Sequence, residues 1–188
     1  MWRWIVGIFK FAVAAGLVGA LAAVAFGVIM VRGFGKDLPD HAGLTRYSPP
    51  LTTRTHAGDG RVLAEFSREH RLFMPIAEIP QLVRAAFLSA EDKSFYSHPG
   101  IDLQALLRAA VNNLKFLGQG RRLVGGSTIT QQVAKNFLLT NEVSYKRKIK
   151  EAILSFRIER ALAKDQILEL YLNEIYLGEG AYGVAAAA

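Results

Sequence analysis

Three short segments of this 188-residue chain place acids, amides and cations at spacings that chemistry can use. In "EDKSFYSHPGID", Glu91 to Asp102, two adjacent carboxylates are followed by Phe95, Tyr96, His98 and a Pro-Gly turn. A carboxylate held beside aromatic rings is partly desolvated, which raises its pKa toward the range of a general base. The same pair also fits a solvated helix end, and His98 also fits a hydrogen-bonding scaffold, since no metal-ligand spacing accompanies it.

The second segment, "GGSTITQQVAKN", runs from Gly125 to Asn136 and leads paired glycines into a helix start. Such a start offers unpaired N–H groups and the positive end of a dipole to an anion. Thr128, Gln132, Lys135 and Asn136 fall on one helical face, which fits a ligand wall or an ordinary solvated face. The lysine directly before Ser/Thr that a phosphate-binding P-loop requires is missing. The third, "YKRKIKEAILSFRIE", sets Lys146, Arg147, Lys148 and Lys150 around Glu151. Between residues 121 and 150, seven basic residues oppose Glu142 alone, so this stretch holds +6 of the chain's net +7. Cations at a helix N-terminus oppose its dipole at a cost of a few tenths of a kcal/mol each, so they serve either an anionic ligand or a solvated face with Glu151 paired to Arg147. A fourth segment, Lys164 to Gly183, sets Leu, Ile and Tyr at helical spacing around Asn173 and Glu174 and suits core and scaffold.

The elements that position these segments follow from periodicity and caps. Thr52 to Thr55 and Arg61 to Phe66 flank Gly58-Asp59-Gly60, a hairpin signal. Beyond Pro80 a helix leads to Glu91 with Leu82, Val83, Ala86, Phe87 and Ala90 on its apolar face. A second is expected from Asp102 as N-cap to Leu117, stopped by Gly118 and Gly120, and a third opens at Thr128 with Gln131 completing a capping box. A fourth spans Ser144 to about Ala163, its core face carrying Ile149, Ala152, Ile153 and Phe156, and a fifth starts at Asp165. The expected fold class is mainly α with a small β-hairpin element.

Residues Phe11 to Val31 contain no charge, and 21 residues at about 1.5 Å each cross a hydrocarbon core of roughly 30 Å. One transmembrane helix is the direct reading; a cleaved signal with Ala23 and Ala25 as the small residues of its cleavage site is the alternative, and this run exceeds a typical h-region. The organisation expected is a cytoplasmic tail 1–10, a transmembrane helix 11–31, a linker 32–50, a membrane-proximal hairpin element 51–79 and a catalytic domain 80–188 that ends in an alanine-rich helix and is cut short. Charges flank both ends of the span, but a long C-terminal domain translocates largely regardless of charge, which places it outside the cytoplasm. The chain has no cysteine, which excludes disulfides and thiolate metal sites. The positive charge suits an anionic partner: lipid headgroups, nucleic acid or a phosphorylated substrate.

In their order and wording these segments resemble the family 51 glycosyltransferases. "EDKSFYSHPG" is similar to the family's first signature, "GGSTITQQVAKN" to its second, Arg147-Lys148 with Glu151 to its third and "KDQILELYLNEIYLG" to its fourth. Tyr47-Ser48-Pro49-Pro50, "DGRVLAEFSREHR" and "IPQLVRAAFLSAED" look like the bifunctional class A penicillin-binding type. The resemblance implies a lysozyme-like α fold and polymerisation of lipid II into glycan strands with inversion, undecaprenyl pyrophosphate leaving. It implies Glu91 as general base and Glu151 as a second catalytic carboxylate near the donor pyrophosphate, acting through a divalent metal, Mg or Mn. Substrate-binding roles would fall to Asp92, Phe95, His98, Ser127, Thr128, Gln131, Gln132, Lys135, Asn136, Arg147, Lys148 and Asn173. The implied partners are lipid II, the growing strand, membrane lipid and cell-wall synthesis proteins, with no nucleic acid; the implied location is the bacterial inner membrane, single-pass, with the domain on its outer side. Two departures stand out: Val143 occupies a position where the family often has Arg, and the fifth family motif and a transpeptidase Ser-x-x-Lys set are absent.

Two other classes compete. A lysozyme-like hydrolase also uses a carboxylate in an α fold, but the dense basic segment beside Glu151 has no use in cleaving a neutral glycosidic bond. A membrane-tethered binding module, nucleic-acid binders included, fits a pI near 9.8, but no nucleic-acid-binding motif is visible.

Overall fold

A turn that only glycine closes easily begins the folded region. The Ala57 N–H donates to the Arg61 carbonyl at 2.8 Å across Gly58-Asp59-Gly60, with Gly60 at φ 84°. The turn joins β1 (Thr53–His56) to β2 (Val62–Phe66) as an antiparallel hairpin, as the sequence predicts. The computed structural model describes residues 2–35, 38–40, 43–44, 53–66, 70–116, 125–140 and 144–188. Most of the expected linker, the helix stop at Gly118 and Gly120, and Arg121, Arg122, Glu142 and Val143 lie outside the described residues.

The chain divides into two units, Met1–Leu38 and Pro39–Ala188. The first is one helix, α1 (Trp2–Phe34), of 33 residues, within which Phe9–Phe34 is long and apolar enough to cross a membrane. The helix overruns the predicted 11–31 at both ends, because the flanking charges limit the apolar stretch and not the helix: Arg and Lys are good helix formers.

In the second unit, a short strand β3 (His70–Arg71) precedes α2 (Gln81–Glu91), α3 (Leu103–Lys115), α4 (Ile129–Leu138), α5 (Tyr145–Ala161) and α6 (Lys164–Glu174). The predicted caps form. Asp102 accepts from the Ala105 N–H at 2.8 Å, Ser144 from the Arg147 N–H at 3.1 Å, and Thr128 and Gln131 complete a reciprocal box at 3.2 and 3.0 Å. Helix α4 is the centre of the core, packed against α5 and α6, with Ile129, Val133, Ala134, Leu154, Ile158, Ile167, Leu168 and Leu172 buried.

Four expectations are corrected. On α5 the buried residues are Glu151, Leu154, Ser155 and Ile158, while Phe156 is exposed. The helix carries apolar residues on two faces, and packing on α4 selects the face that also turns Glu151 inward. On α2 no residue is fully buried; Val83, Arg84, Phe87 and Leu88 are half-covered, and Leu82 is 82% exposed. Helix α6 begins at Lys164, where Gln166 accepts from the Ala163 N–H, and stops at Glu174 although helical spacing continues. There β4 (Tyr176–Gly178) turns into β5 (Ala181–Tyr182), and β5 also pairs in parallel with β3. Gly183, at φ 82°, sits where a Cβ would lie 2.7 Å from the Asn173 carbonyl, so only glycine fits. The alanine-rich end is a turn and not a helix.

Candidate active site

The loop between α2 and α3 is fastened to the start of α4 by the acid that follows Glu91. Asp92 is buried, 2.9 Å from His98 Nε2, and accepts the Ile129 N–H of the first turn of α4 at 3.1 Å. An acceptor placed there meets both an unpaired N–H and the positive dipole end. His98 Nδ1 accepts from the Gly100 N–H, so its Nε2 carries the proton that it donates to Asp92. The Thr128 hydroxyl donates to the Gly100 carbonyl at 2.6 Å. Gly100 has φ 105°, and a Cβ there would sit 3.0 Å from the Ser155 backbone, so glycine lets this loop pass over α5. Ser94 donates to Asp102, which together with the Ala105 N–H holds the Asp102 carboxyl below the usual carboxylate range.

With Asp92 fixed, Glu91 is directed outward. It is exposed at the end of α2, and Gln132 of α4 donates to its Oε2 at 2.8 Å. Glu91, Ser127, Thr128, Asp102 and Arg108 line one cleft of about 590 Å³. The sequence predicts aromatic rings beside one carboxylate of the Glu91–Asp92 pair; Phe95 is instead buried at 1% exposure in the core and Tyr96 turns outward to Asp165.

Glu151 is the reverse case: 1% exposed, it meets Lys148 Nζ at 2.6 Å and Arg147 NH1 at 3.5 Å. Lys148 Nζ also donates to the Ser127 hydroxyl at 2.7 Å. Glu151 Oε1 and Arg147 Nε are buried without a hydrogen-bond partner among the described residues. A buried carboxylate between two cations acts as a counter-charge that holds them in place, leaving the cluster cationic by one charge. Among the described residues two cations and no further acid face Glu151, and no group of three metal-ligating side chains gathers. This donor set does not fit a divalent ion.

The remaining predicted residues separate. Gln131 is buried in the capping box, Lys135 is half-buried with no partner among the described residues, and Asn136 is exposed. Asn173 is buried and binds the chain itself: it accepts from the Met74 N–H at 2.8 Å and donates to the Met74 carbonyl at 2.9 Å. With the Arg71–Glu174 ion pair and the Ile76 N–H on Glu169, it straps residues 70–76 onto α6. Glu91, Asp92, Ser127 and Thr128 therefore line the cleft, Gln132 and Lys148 reach it through their bonds to Glu91 and Ser127, and Phe95, His98 and Asn173 are outside its lining. Sequence reading missed a network in which Lys164 Nζ donates to Glu159 and to the His98 carbonyl, with Thr130 on the same Glu159 oxygen. Its signal was present: a lysine in the first turn of α6 opposes the dipole and needs another reason to be there.

The family model described as "Transglycosylase" matches residues 59–188. The chain is 56% identical over 159 residues to "Penicillin-binding protein 1A" of Rickettsia felis, 85% of this chain and 20% of that protein. It is 44% identical over 174 residues to the protein of that name from Aquifex aeolicus, and 42% over 175 residues to the one from Neisseria lactamica, 92% of this chain in both cases. The chain spans about a fifth of the length of these relatives.

Proposed function

The chain belongs to the transglycosylase family, and on that premise we propose that it is a peptidoglycan glycosyltransferase that polymerises lipid II in bacterial cell-wall synthesis. Glu91 removes the proton from the acceptor sugar's 4-hydroxyl as that oxygen attacks the donor's anomeric carbon. The new C–O bond forms as the bond to the lipid pyrophosphate breaks, the leaving group takes the electron pair, and the configuration inverts. Gln132 keeps the carboxylate turned toward the cleft, and a base within hydrogen-bond reach of the proton is what such a step needs.

Lys148, Arg147 and the half-buried Lys135 supply positive charge for the pyrophosphate, whose negative charge grows as it departs. Glu151 orients the first two, and Ser127 links Lys148 to the start of α4. The observation that carries this reading is the division of labour at one helix start: an exposed carboxylate fixed from α4, and a buried carboxylate spent on holding two cations in reach of the same segment. Helix α1 would anchor the enzyme in the inner membrane with residues after about 36 outside the cytoplasm, where lipid II and the growing strand are met.

Incubating the protein that carries this chain, at its natural length, with labelled lipid II and separating products by size tests the proposal. A ladder of lengthening glycans is expected. Shortened pre-formed glycan, or no product, would transfer the site to hydrolysis or to binding alone.

A further inference from the structure

Tyr171 lies on α6, read from the sequence as core, and its ring is 1% exposed. The ring meets Phe87 edge-on, with centroids 6.1 Å apart. Phe87 stands one turn before Glu91 on α2, so the two side chains share the face that α2 presents toward Tyr171. The buried phenol hydroxyl has no hydrogen-bond partner among the described residues. Buried hydroxyls are nearly always paired, and one left unpaired beside a reaction centre asks for a reason. Glu91 presents the complementary vacancy: Gln132 occupies Oε2, and Oε1 receives no bond from the described residues. Burial first, and the negative charge of Glu91 second, push the Tyr171 pKa well above its ordinary value. The hydroxyl therefore keeps its proton at every working pH and can only donate to an anion.

We propose that Tyr171 is a positioning residue whose hydroxyl donates to Glu91 Oε1 in the substrate-loaded cleft, while Gln132 holds Oε2. The carboxylate is then oriented from both oxygens, and each oxygen retains a lone pair for the acceptor's proton. Such a donor is absent from the core role of an aromatic ring, and a hydrogen bond to a carboxylate favours its ionised form. The inference rests on the reading of Glu91 as general base.

The test is Tyr171→Phe in the natural-length protein, with Glu91→Gln in parallel, assayed for lipid II polymerisation across pH. Loss of one hydrogen bond to a charged group predicts a kcat lower by roughly ten- to a hundredfold, with KM little changed. The donor's loss removes a contact that favours the ionised base, so the acid limb of the activity profile should move to higher pH. The neighbouring charged groups of the cleft, Lys93, Asp92, Asp102 and Arg108, are the same in both proteins. Removing an unpaired buried hydroxyl should leave the melting temperature equal or raised, which a purely structural tyrosine bond would not. Incorporating 3-fluorotyrosine at 171 retains the hydroxyl as a stronger donor and should move the acid limb the opposite way; it also decides the matter where the Phe variant does not fold. A wild-type kcat and acid limb in both Tyr171 variants, alongside an inactive Glu91→Gln, overturns the role of Tyr171 alone. An active Glu91→Gln overturns the reading of the base.

Discussion

Replacing Glu151 should show that its charge serves the two cations and not the fold at large. At 1% exposure it sits 2.6 Å from Lys148 Nζ and 3.5 Å from Arg147 NH1. At an effective dielectric near 20, two unit charges about 3 Å apart attract by roughly 5 kcal/mol, and desolvation of the buried acid removes a large part of this. Lys148 is half-exposed, which screens its share further. A net coupling of about 1 to 2 kcal/mol between Glu151 and Lys148 is expected. The assay is a double-mutant cycle of Glu151→Gln and Lys148→Met, read by chemical unfolding and by affinity for a phosphoglycolipid inhibitor. Glu151→Gln alone should cost more stability than Lys148→Met and should weaken inhibitor binding, because Arg147 and Lys148 lose the group that holds them. Effects that add within about 0.3 kcal/mol in both readouts would refute the argument.

Three further outcomes follow from the same geometry. Lys135→Ala should weaken phosphoglycolipid binding by about 1.5 to 3 kcal/mol, the worth of a charge-assisted contact, and unchanged affinity by calorimetry would remove it from the donor site. Gly100→Ala forces a side chain into φ 105° and against Ser155 at 3.0 Å, and should lower stability by about 2 kcal/mol or more in thermal unfolding. Asp102 has a folded pKa below its ordinary 3.8, so the stability it adds is complete above that value and is lost as pH falls through the folded value. Asp102→Asn, which keeps the cap, should therefore flatten the acid end of the stability curve below about pH 4.

Much of the fold was legible because local rules and tertiary packing agree in it. Asp102, Thr128 with Gln131, and Ser144 each cap the helix the sequence assigns them, and Gly58-Asp59-Gly60 closes the hairpin. Failure came where two faces of one helix are both apolar. On α5 the sequence favoured Ile149, Ile153 and Phe156, whereas packing on α4 buries Leu154 and Ile158 and takes Glu151 with them. Past Glu174 the helical spacing is genuine, but Gly178, Gly180 and Gly183 adopt positive φ and β5 pairs with a strand more than 100 residues earlier in the chain, a partner no local pattern reveals. At the site, motif wording located Glu91 and Glu151 but not their environments. The aromatic neighbours of Glu91 in sequence face elsewhere, and its adjacent acid, Asp92, is the buried one. Burial depends on what α4 brings to the loop, which only the assembled fold determines.

Glu91→Gln keeps the shape of the side chain and its contact with Gln132 while removing the base. Measured on labelled lipid II at neutral pH, the product ladder should shrink by about 10²- to 10⁴-fold in rate, with phosphoglycolipid affinity and melting temperature nearly unchanged. A Glu91→Gln protein that still builds long glycan strands at the wild-type rate would contradict the account.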